Sequence, residues 1–254
     1  MFNDEITAVS NAAKAKKDLL EKNFGGYILA AILAGIFIGF GVLLAFTVGG
    51  LLTGNPFARI LMGCTFGIAL SLVVIAGGEL FTGNNFVMAV GLARRTVSGG
   101  ACFKVLVAGY FGNMIGSIIL AVIFVCCGLA TGVIGDFISS AAAVKMSLPP
   151  LALICRGILC NMLVCLAIWS AFRCKSETAK LIIIFWCLLA FITSGYEHCI
   201  ANMTLLTVSL LSPSSGAAVS LSGWIYNIAL STLGNMIGGI LFVALPYSVI
   251  SRKS

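Results

Sequence analysis

Six long apolar segments place the strongest constraint on what this chain can fold into. They cover about residues 28–52, 60–92, 105–135, 148–172, 181–212 and 219–250. Each is longer than the roughly 20 residues that an α-helix needs to cross the hydrocarbon core of a bilayer. Only 9% of the residues are charged, whereas soluble domains carry about 25%. The sequence therefore predicts an all-α, multi-pass membrane protein with six transmembrane helices in a single domain, residues 1–254.

The first 25 residues are polar and charged, unlike the rest of the chain. No apolar stretch precedes residue 27, so we expect no signal peptide, and the first apolar segment should itself direct insertion. Residues 3–24 form an amphipathic pattern whose apolar face holds Ile6, Val9, Ala13, Leu20 and Phe24. This pattern predicts a helix lying at the cytoplasmic surface of the membrane.

The distribution of basic residues predicts the orientation in the membrane. Twelve of the fifteen lie on one side of a six-helix arrangement: Lys14, Lys16, Lys17, Lys22, Arg94, Arg95, Lys104, Arg173, Lys175, Lys180, Arg252 and Lys253. Lysine and arginine accumulate in the cytoplasmic links of membrane proteins. We therefore expect a protein of the plasma or inner membrane with both termini in the cytoplasm. The net charge of +7 then follows from topology and does not indicate nucleic-acid binding.

Two pairs of similar motifs indicate an internal repeat. "FGNMIGS" at 111–117 matches "LGNMIGG" at 233–239, and "GGELFTGN" at 77–84 pairs loosely with "GYEHCIAN" at 195–202. The offsets are 122 and 118 residues, so each copy holds three membrane crossings, about 26–135 and 136–250. Because three is odd, the copies must insert with opposite orientation. Inverted repeats with interrupted helices at matching positions point to a transport pathway near the bilayer midplane.

Glycines and polar residues interrupt the second and fifth segments. Gly77, Gly78 and Gly83 favour a turn in the second segment, and Gly195 does so in the fifth. Irregular backbone at membrane depth occurs only where it is buried in protein or lines a cavity. We therefore expect two broken helices whose half-helix ends meet at a common centre, where freed N–H groups could bind an anion.

Two carboxylates lie at these interruptions, Glu79 with Asn84 five residues later and Glu197 with Asn202. An unpaired charge costs roughly 2.5–3.5 kcal/mol at the centre of a membrane helix. Each glutamate could therefore accept hydrogen bonds from its own broken backbone and stabilise the loop, as we expect for Glu79 with Asn84. A proton relay through either glutamate is the alternative.

His198 is the only histidine of the chain. It lies at the second interruption, beside Glu197, and titratable groups inside a membrane usually belong to a transport pathway. The ten cysteines are scattered without a C-x-x-C pair, so we interpret them as reduced packing residues. No metal, cofactor or catalytic residue is expected.

The motifs, their spacing and the six segments together resemble the formate/nitrite transporter family over essentially the whole chain. The resemblance implies an aquaporin-like fold, a homopentamer, and one pore per protomer with two apolar slits beside a central histidine. It assigns Phe66 and Phe191 to the outer slit and Leu70, Leu80 and Phe81 to the inner slit. Thr82 would face His198, with polar contacts from Asn161 and Asn202. Lys145, in "AAAVKMSLPP", corresponds to a lysine of the outer vestibule.

The resemblance and the apolar slits together predict a channel for small monovalent weak-acid anions. Such an anion would pass the slits after a proton near His198, or from water ordered by it, has neutralised it. "GELFTGNN" and the short chain look most similar to the hydrosulfide and nitrite branches of the family, and of the plausible anions we favour hydrosulfide over nitrite and formate. The alternative is a proton-coupled formate or nitrite symporter or exporter of the same family.

Other classes of membrane protein fit the motifs less well. An aquaporin would carry two Asn-Pro-Ala motifs, an ammonium channel would need paired pore histidines, and a haem enzyme would need two histidine ligands. The sequence has one histidine and a single "GNPFA" at 54–58. We therefore expect a transporter and not an enzyme, with lipid, anions and protons as its partners.

Overall fold

The computed structural model describes residues 2–214 and 216–251, so Arg252 and Lys253 lie outside the described residues. Regular structure in the described part is helical throughout. The helices are α1 (Asn3–Lys22), α2 (Phe24–Leu51), α3 (Ala58–Gly77), α4 (Phe81–Ala93), α5 (Gly99–Cys126), α6 (Gly132–Met146), α7 (Pro150–Arg173), α8 (Glu177–Ser194), α9 (Cys199–Leu211) and α10 (Leu221–Ile250). One π-helical turn lies at the end of α3 (Val73–Gly77) and another within α10 (Ile240–Ala244).

Six of these helices, α2, α3, α5, α7, α8 and α10, are long and apolar enough to cross a membrane. The 13-residue helices α4 and α9 follow α3 and α8 after short non-helical breaks. The prediction of six transmembrane helices with the second and fifth interrupted is therefore confirmed.

The third apolar segment differs from its predicted bounds, 105–135. The helix begins at Gly99, where the Ser98 hydroxyl accepts the Ala101 N–H at 3.2 Å, and it ends at Cys126. Gly128, with φ of 72°, turns the chain toward α6, which the sequence analysis did not predict. Apolar composition continues across this turn, so hydropathy alone does not separate the two helices.

The amphipathic N-terminal helix packs against the protein. The predicted face residues Ile6, Val9 and Ala13 are fully buried, and the Ser10 hydroxyl donates to Thr96 Oγ1 at 2.9 Å, in the link between α4 and α5. Phe24 is 63% exposed and is the first residue of α2. The apolar face of α1 is thus covered mainly by other helices and links of the same chain. From the sequence we expected this face to lie on the membrane surface.

Equivalent glycines bring the helices of each repeat into close contact. A Cβ atom at Gly116 of α5 would collide with the Ile32 carbonyl of α2. In the second repeat, a Cβ atom at Gly238 of α10 would collide with the Ile158 carbonyl of α7. Small residues allow such backbone approach between membrane helices, and both glycines belong to the repeated "GNMIG" motif.

Candidate functional site

Two glycines in the left-handed region produce the breaks in the transmembrane helices. Gly77 has φ of 85° and Gly195 has φ of 73°, conformations that glycine adopts without a steric penalty. Gly78 is extended, whereas Gly83 lies inside α4. The first break therefore ends before Phe81, and the sequence prediction for Gly83 as a turn residue is wrong.

The first break is held by Asn113 of the repeated "GNMIG" motif. Its Oδ1 accepts the Phe81 N–H at 2.8 Å, and its Nδ2 donates to the carbonyls of Glu79 and Ala31 at 2.9 and 2.7 Å. One buried side chain thus satisfies an N-terminal amide of α4 and the Glu79 carbonyl of the break, and it connects the break to the Ala31 carbonyl of α2.

Asn235 holds the second break in the equivalent way. Its Oδ1 accepts the Cys199 N–H at 2.9 Å, and its Nδ2 donates to the carbonyls of Glu197 and Gly157, both at 2.8 Å. Side chains of the chain itself therefore satisfy amides that the sequence analysis expected to be free for an anion. The sequence signal for this role was the repeated asparagine, which the analysis used only to define the repeat.

The N-termini of α4 and α9 meet at His198 and Thr82. Thr82 Oγ1 lies 3.0 Å from His198 Nε2, and the Ala201 N–H donates to His198 Nδ1 at 3.1 Å. Because Nδ1 accepts a hydrogen bond, the proton of the neutral ring is assigned to Nε2. Both side chains are buried, so His198 presents an N–H group inside the protein at the point where the two half-helices begin.

A cavity of about 10 Å³ lies beside His198. We call it the enclosed cavity because each of its lining residues is at most 3% exposed. Apart from the histidine, its lining is apolar: Ile38, Phe66, Leu70, Leu80, Val164, Leu188 and Phe191. The Phe66 and Phe191 rings meet edge to face with centroids 5.3 Å apart, and Phe191 stacks on the His198 ring at 6.0 Å. The immediate surroundings of the histidine on this side are therefore apolar and aromatic.

Four of the five constriction residues predicted by resemblance line this cavity. The fifth, Phe81, packs against Tyr110 at a centroid distance of 4.9 Å and is not part of the lining. The sequence analysis missed Ile38, Val164 and Leu188. Val164 follows Asn161 by about one helical turn and Leu188 precedes Phe191 similarly, which is a usable signal. Ile38 lies in an apolar helix without any such marker.

The proximal vestibule, defined as the cavity on the side of α1, has a volume of about 350 Å³ and is lined by Lys16, Glu79, Asn84, Leu80 and neighbouring residues. Lys16 Nζ lies 2.8 Å from both Glu79 carboxylate oxygens, and Asn84 Nδ2 donates to Oε2 at 3.0 Å. Leu80 also lines the enclosed cavity, so this side chain separates the cavity from the proximal vestibule.

The distal vestibule, defined as the cavity on the opposite side, has a volume of about 500 Å³ and includes Glu197, Lys145, Arg59 and Arg156 in its lining. Lys145 Nζ lies 2.7 Å from Glu197 Oε1, and Asn202 Nδ2 donates to Glu197 Oε2 at 2.6 Å. The two vestibules therefore share one pattern, a lysine and an asparagine bound to a glutamate of the broken helix.

Neither carboxylate accepts a hydrogen bond from its own loop among the described residues. The partners are the side chains of lysine and asparagine, and the Glu79 and Glu197 amides donate instead to the carbonyls of Ala30 and Arg156. We expected backbone N–H groups of the broken helix to bind each carboxylate. In the structure each carboxylate is instead bound by a lysine and an asparagine side chain. The sequence could not reveal this, because Lys16 lies on α1, far from Glu79 in the chain.

Asn161 lies behind Thr82 and outside the lining of the enclosed cavity. Its Nδ2 donates to the carbonyls of Thr82 and Asn235 at 3.2 and 2.7 Å. Asn202 is likewise buried and bound to Glu197 and Asn227. In the described residues both side-chain amides therefore bind the protein around the enclosed cavity. The resemblance had instead assigned them polar contacts near the centre of the pore.

Comparisons with known proteins match the whole chain. A sequence profile described as "Formate/nitrite transporter" matches residues 4–249. The nitrite transporter NirC of Salmonella typhimurium is 42% identical over 257 residues, covering 100% of this chain and 94% of the relative. A solved structure described as "FNT family ion channel" is 39% identical with a TM-score of 0.93, covering 98% of this chain and 99% of that one. A "Pentameric formate channel with formate bound" is 30% identical with a TM-score of 0.80, covering 92% and 99%.

Proposed function

The chain belongs to the formate/nitrite transporter family, and we propose on that premise that it is a membrane channel for small monovalent weak-acid anions. It is a transporter and not an enzyme. The observation that carries the proposal is that His198, bound to Thr82, lines a small apolar cavity between two vestibules that both contain basic side chains.

The apolar cavity favours a neutral form of the substrate. Moving a bare ion into a medium of low dielectric constant costs of order 20 kcal/mol by the idealised Born estimate, and several kcal/mol after relaxation. Protonating an acid whose pKa lies about 3 units below the ambient pH costs about 4 kcal/mol. Neutralisation is therefore the easier route past the apolar side chains, and anions of strong acids such as chloride lack it.

His198 has a defined part in this route. Its Nε2–H group can donate a hydrogen bond to the substrate in place of Thr82, while Nδ1 remains bound to the Ala201 N–H. A second proton on the ring would require that Nδ1 lose this bond. The hydrogen-bond pattern therefore favours neutralisation by a proton that arrives with water or substrate from a vestibule, with His198 as a neutral donor.

We propose nitrite as the first substrate to test, since NirC, the 42% identical relative, is named a nitrite transporter. Formate has support from the formate channel of similar structure. Hydrosulfide, the anion favoured in the sequence analysis, stays a prediction. A proton-coupled symporter or exporter is the second candidate, because the enclosed cavity is also what a carrier that opens to one side at a time would have.

The experiment is a panel of anions in proteoliposomes with a controlled pH gradient. Uptake of nitrite, formate and hydrosulfide should rise steeply as the external pH falls, whereas chloride should not pass. Flux that follows the substrate gradient alone supports the channel, and accumulation driven by the proton gradient supports the symporter. Equal permeation of chloride would contradict the proposal.

We also propose a homopentamer in the plasma or inner membrane with the proximal vestibule facing the cytoplasm. The solved relative that holds formate is pentameric. Of the twelve basic residues assigned to the cytoplasmic side, ten are described: four lie in α1, three in links and three near the ends of transmembrane helices. This bias favours the orientation.

A further inference from the structure

The distal vestibule contains more positive charge than its ion pair explains. Besides Lys145 and Glu197, its lining includes two arginines, Arg59 at the start of α3 and Arg156 in the first half of α7. We propose that these two guanidinium groups form an anion-binding site for a planar monovalent oxyanion, such as nitrite or formate. This inference rests on the proposed function and assigns its first binding step.

Lys145, the residue that the family resemblance assigned to the outer vestibule, is not available for an incoming anion. Its ammonium lies 2.7 Å from Glu197 Oε1, and that carboxylate is 2% exposed. The pair is neutral as a unit. The net positive charge of the distal vestibule therefore comes from the arginines.

Arg59 and Arg156 have no ionic partner within the described part of the chain. Every carboxylate found within 4 Å of a basic nitrogen there is paired with a different residue, and neither guanidinium makes a hydrogen bond to a described residue. Arg59 is exposed and Arg156 is partly exposed. Both can thus reach an anion that enters the vestibule.

Both arginines lie close to the loop that leads to His198. The Arg156 carbonyl accepts the Glu197 N–H at 3.3 Å. Arg59 Nη1 is 3.7 Å from the position that a Cβ atom would occupy on Gly195. An anion bound by them would be held at the beginning of the path to the central cavity.

The proximal vestibule does not offer the same feature. Of the two lysines in its lining, Lys16 is paired with Glu79 and Lys180 is paired with Glu177, each at 2.8 Å. Of the two vestibules, only the distal one therefore has unpaired basic groups among its described lining residues, although both contain a lysine paired with a glutamate.

Guanidinium chemistry indicates the class of ligand. Arginine presents parallel N–H donors that match two oxygen atoms of a planar anion, whereas lysine acts as a compact point charge. Nitrite and formate each have two such oxygens, but hydrosulfide has none. We therefore expect the site to bind the two oxyanions more tightly than hydrosulfide.

The test compares R59Q/R156Q and R59K/R156K with the wild type in right-side-out and inside-out membrane vesicles. The control R95Q/K104Q removes two exposed positive charges at the opposite side of the protein. The readout is the half-saturating concentration of nitrite and of hydrosulfide for the initial rate of uptake, with detergent elution volumes as a check on folding.

For R59Q/R156Q we expect the half-saturating nitrite concentration to rise about fivefold for each charge removed, the effect of a unit charge at about 4 Å in water. The rise should occur in only one of the two vesicle types and shrink at high salt. R59K/R156K should weaken nitrite uptake partially and leave hydrosulfide uptake unchanged.

Several results would overturn the inference. The first is an unchanged half-saturating nitrite concentration in R59Q/R156Q. The second is an equal rise of this concentration in the control R95Q/K104Q. The third is an equal rise for R59Q/R156Q in right-side-out and inside-out vesicles. Equal losses for nitrite and hydrosulfide in R59K/R156K would overturn the assignment to oxyanions. Failure of the proposed function is a distinct result, since the wild-type protein would then carry none of the three anions.

Discussion

At the scale of single residues, His198 is fixed by two hydrogen bonds that specify its chemistry. The Ala201 N–H binds Nδ1, and Thr82 lies at hydrogen-bond distance from Nε2. The histidine caps α9 and at the same time presents a donor beside the enclosed cavity. Its substitution should therefore affect both the pathway and the adjacent helix end.

Asparagine at position 198 keeps a side-chain acceptor for the helix N-terminus but removes the imidazole. We expect His198→Asn to fold and to take up nitrite more slowly than the wild type at every pH, because the Nε2–H donor beside the cavity is lost. His198→Phe removes both the donor and the helix cap and should reduce uptake further. Uptake in proteoliposomes across a range of pH values is the measurement. Nitrite uptake by His198→Asn at the wild-type rate across this range would contradict the role of the ring.

Leu80 is the side chain common to the proximal vestibule and the enclosed cavity. Leu80→Ala should open a passage between them and admit larger monovalent acids such as acetate, with at least a severalfold gain in acetate flux. Leu92→Ala, at an exposed position on α4, is the control. If acetate flux stays at the wild-type level in Leu80→Ala, this side chain does not limit the pathway.

At the scale of helices, the asparagines of the repeated motif make broken transmembrane helices compatible with a membrane. Asn113 and Asn235 each satisfy one amide and one carbonyl group of the break, and each also donates to a carbonyl group of a neighbouring helix, Ala31 of α2 or Gly157 of α7. These contacts determine the angle at which α4 and α9 start and therefore where Thr82 and His198 lie.

Asn113→Ala and Asn235→Ala should each destabilise the protein by roughly 1–3 kcal/mol for each buried group left unpaired. Because the contacts are equivalent, the two variants should lower the thermal unfolding temperature in detergent by similar amounts. Asn11→Ala, at an exposed position of α1, should have little effect. If one variant lowered the unfolding temperature strongly and the other left it unchanged, the two asparagines would not contribute equally to stability.

Helix α1 is attached to the proximal vestibule through Lys16. Lys16→Ala removes the partner of Glu79, which is only 12% exposed, so α1 should detach more often. We expect severalfold faster amide hydrogen exchange over Asn3–Lys22. The control Lys17→Ala loses only surface pairs with Asp18 and Glu21, so its amide hydrogens should exchange like those of the wild type. Identical exchange rates over Asn3–Lys22 in the two variants would refute the anchoring role of Lys16.

At the scale of the whole molecule, many large apolar side chains on the outer surfaces of the transmembrane helices are exposed in the single chain, among them Phe40, Phe103 and Phe111. Lipid can cover such a surface, and so can neighbouring copies of the chain. The proposed pentamer predicts a mass in lipid nanodiscs of five times the 26.5 kDa chain. A mass equal to one chain, measured with the lipid contribution subtracted, would contradict it.

The sequence by itself determined the membrane class, the six crossings, the repeat and the positions of both breaks, because hydropathy, glycine and motif spacing are local properties of the chain. The tertiary structure decided which groups meet. In it, Lys16 is paired with Glu79 and Lys145 with Glu197. Phe81 lies outside the lining of the enclosed cavity, and three residues that the sequence did not indicate belong to it: Ile38, Val164 and Leu188. These contacts join residues far apart in sequence, and an apolar residue in an apolar helix has no local mark of the side that it faces. That two arginines of the distal vestibule lack ionic partners among the described residues follows only from the ion pairs of the folded chain.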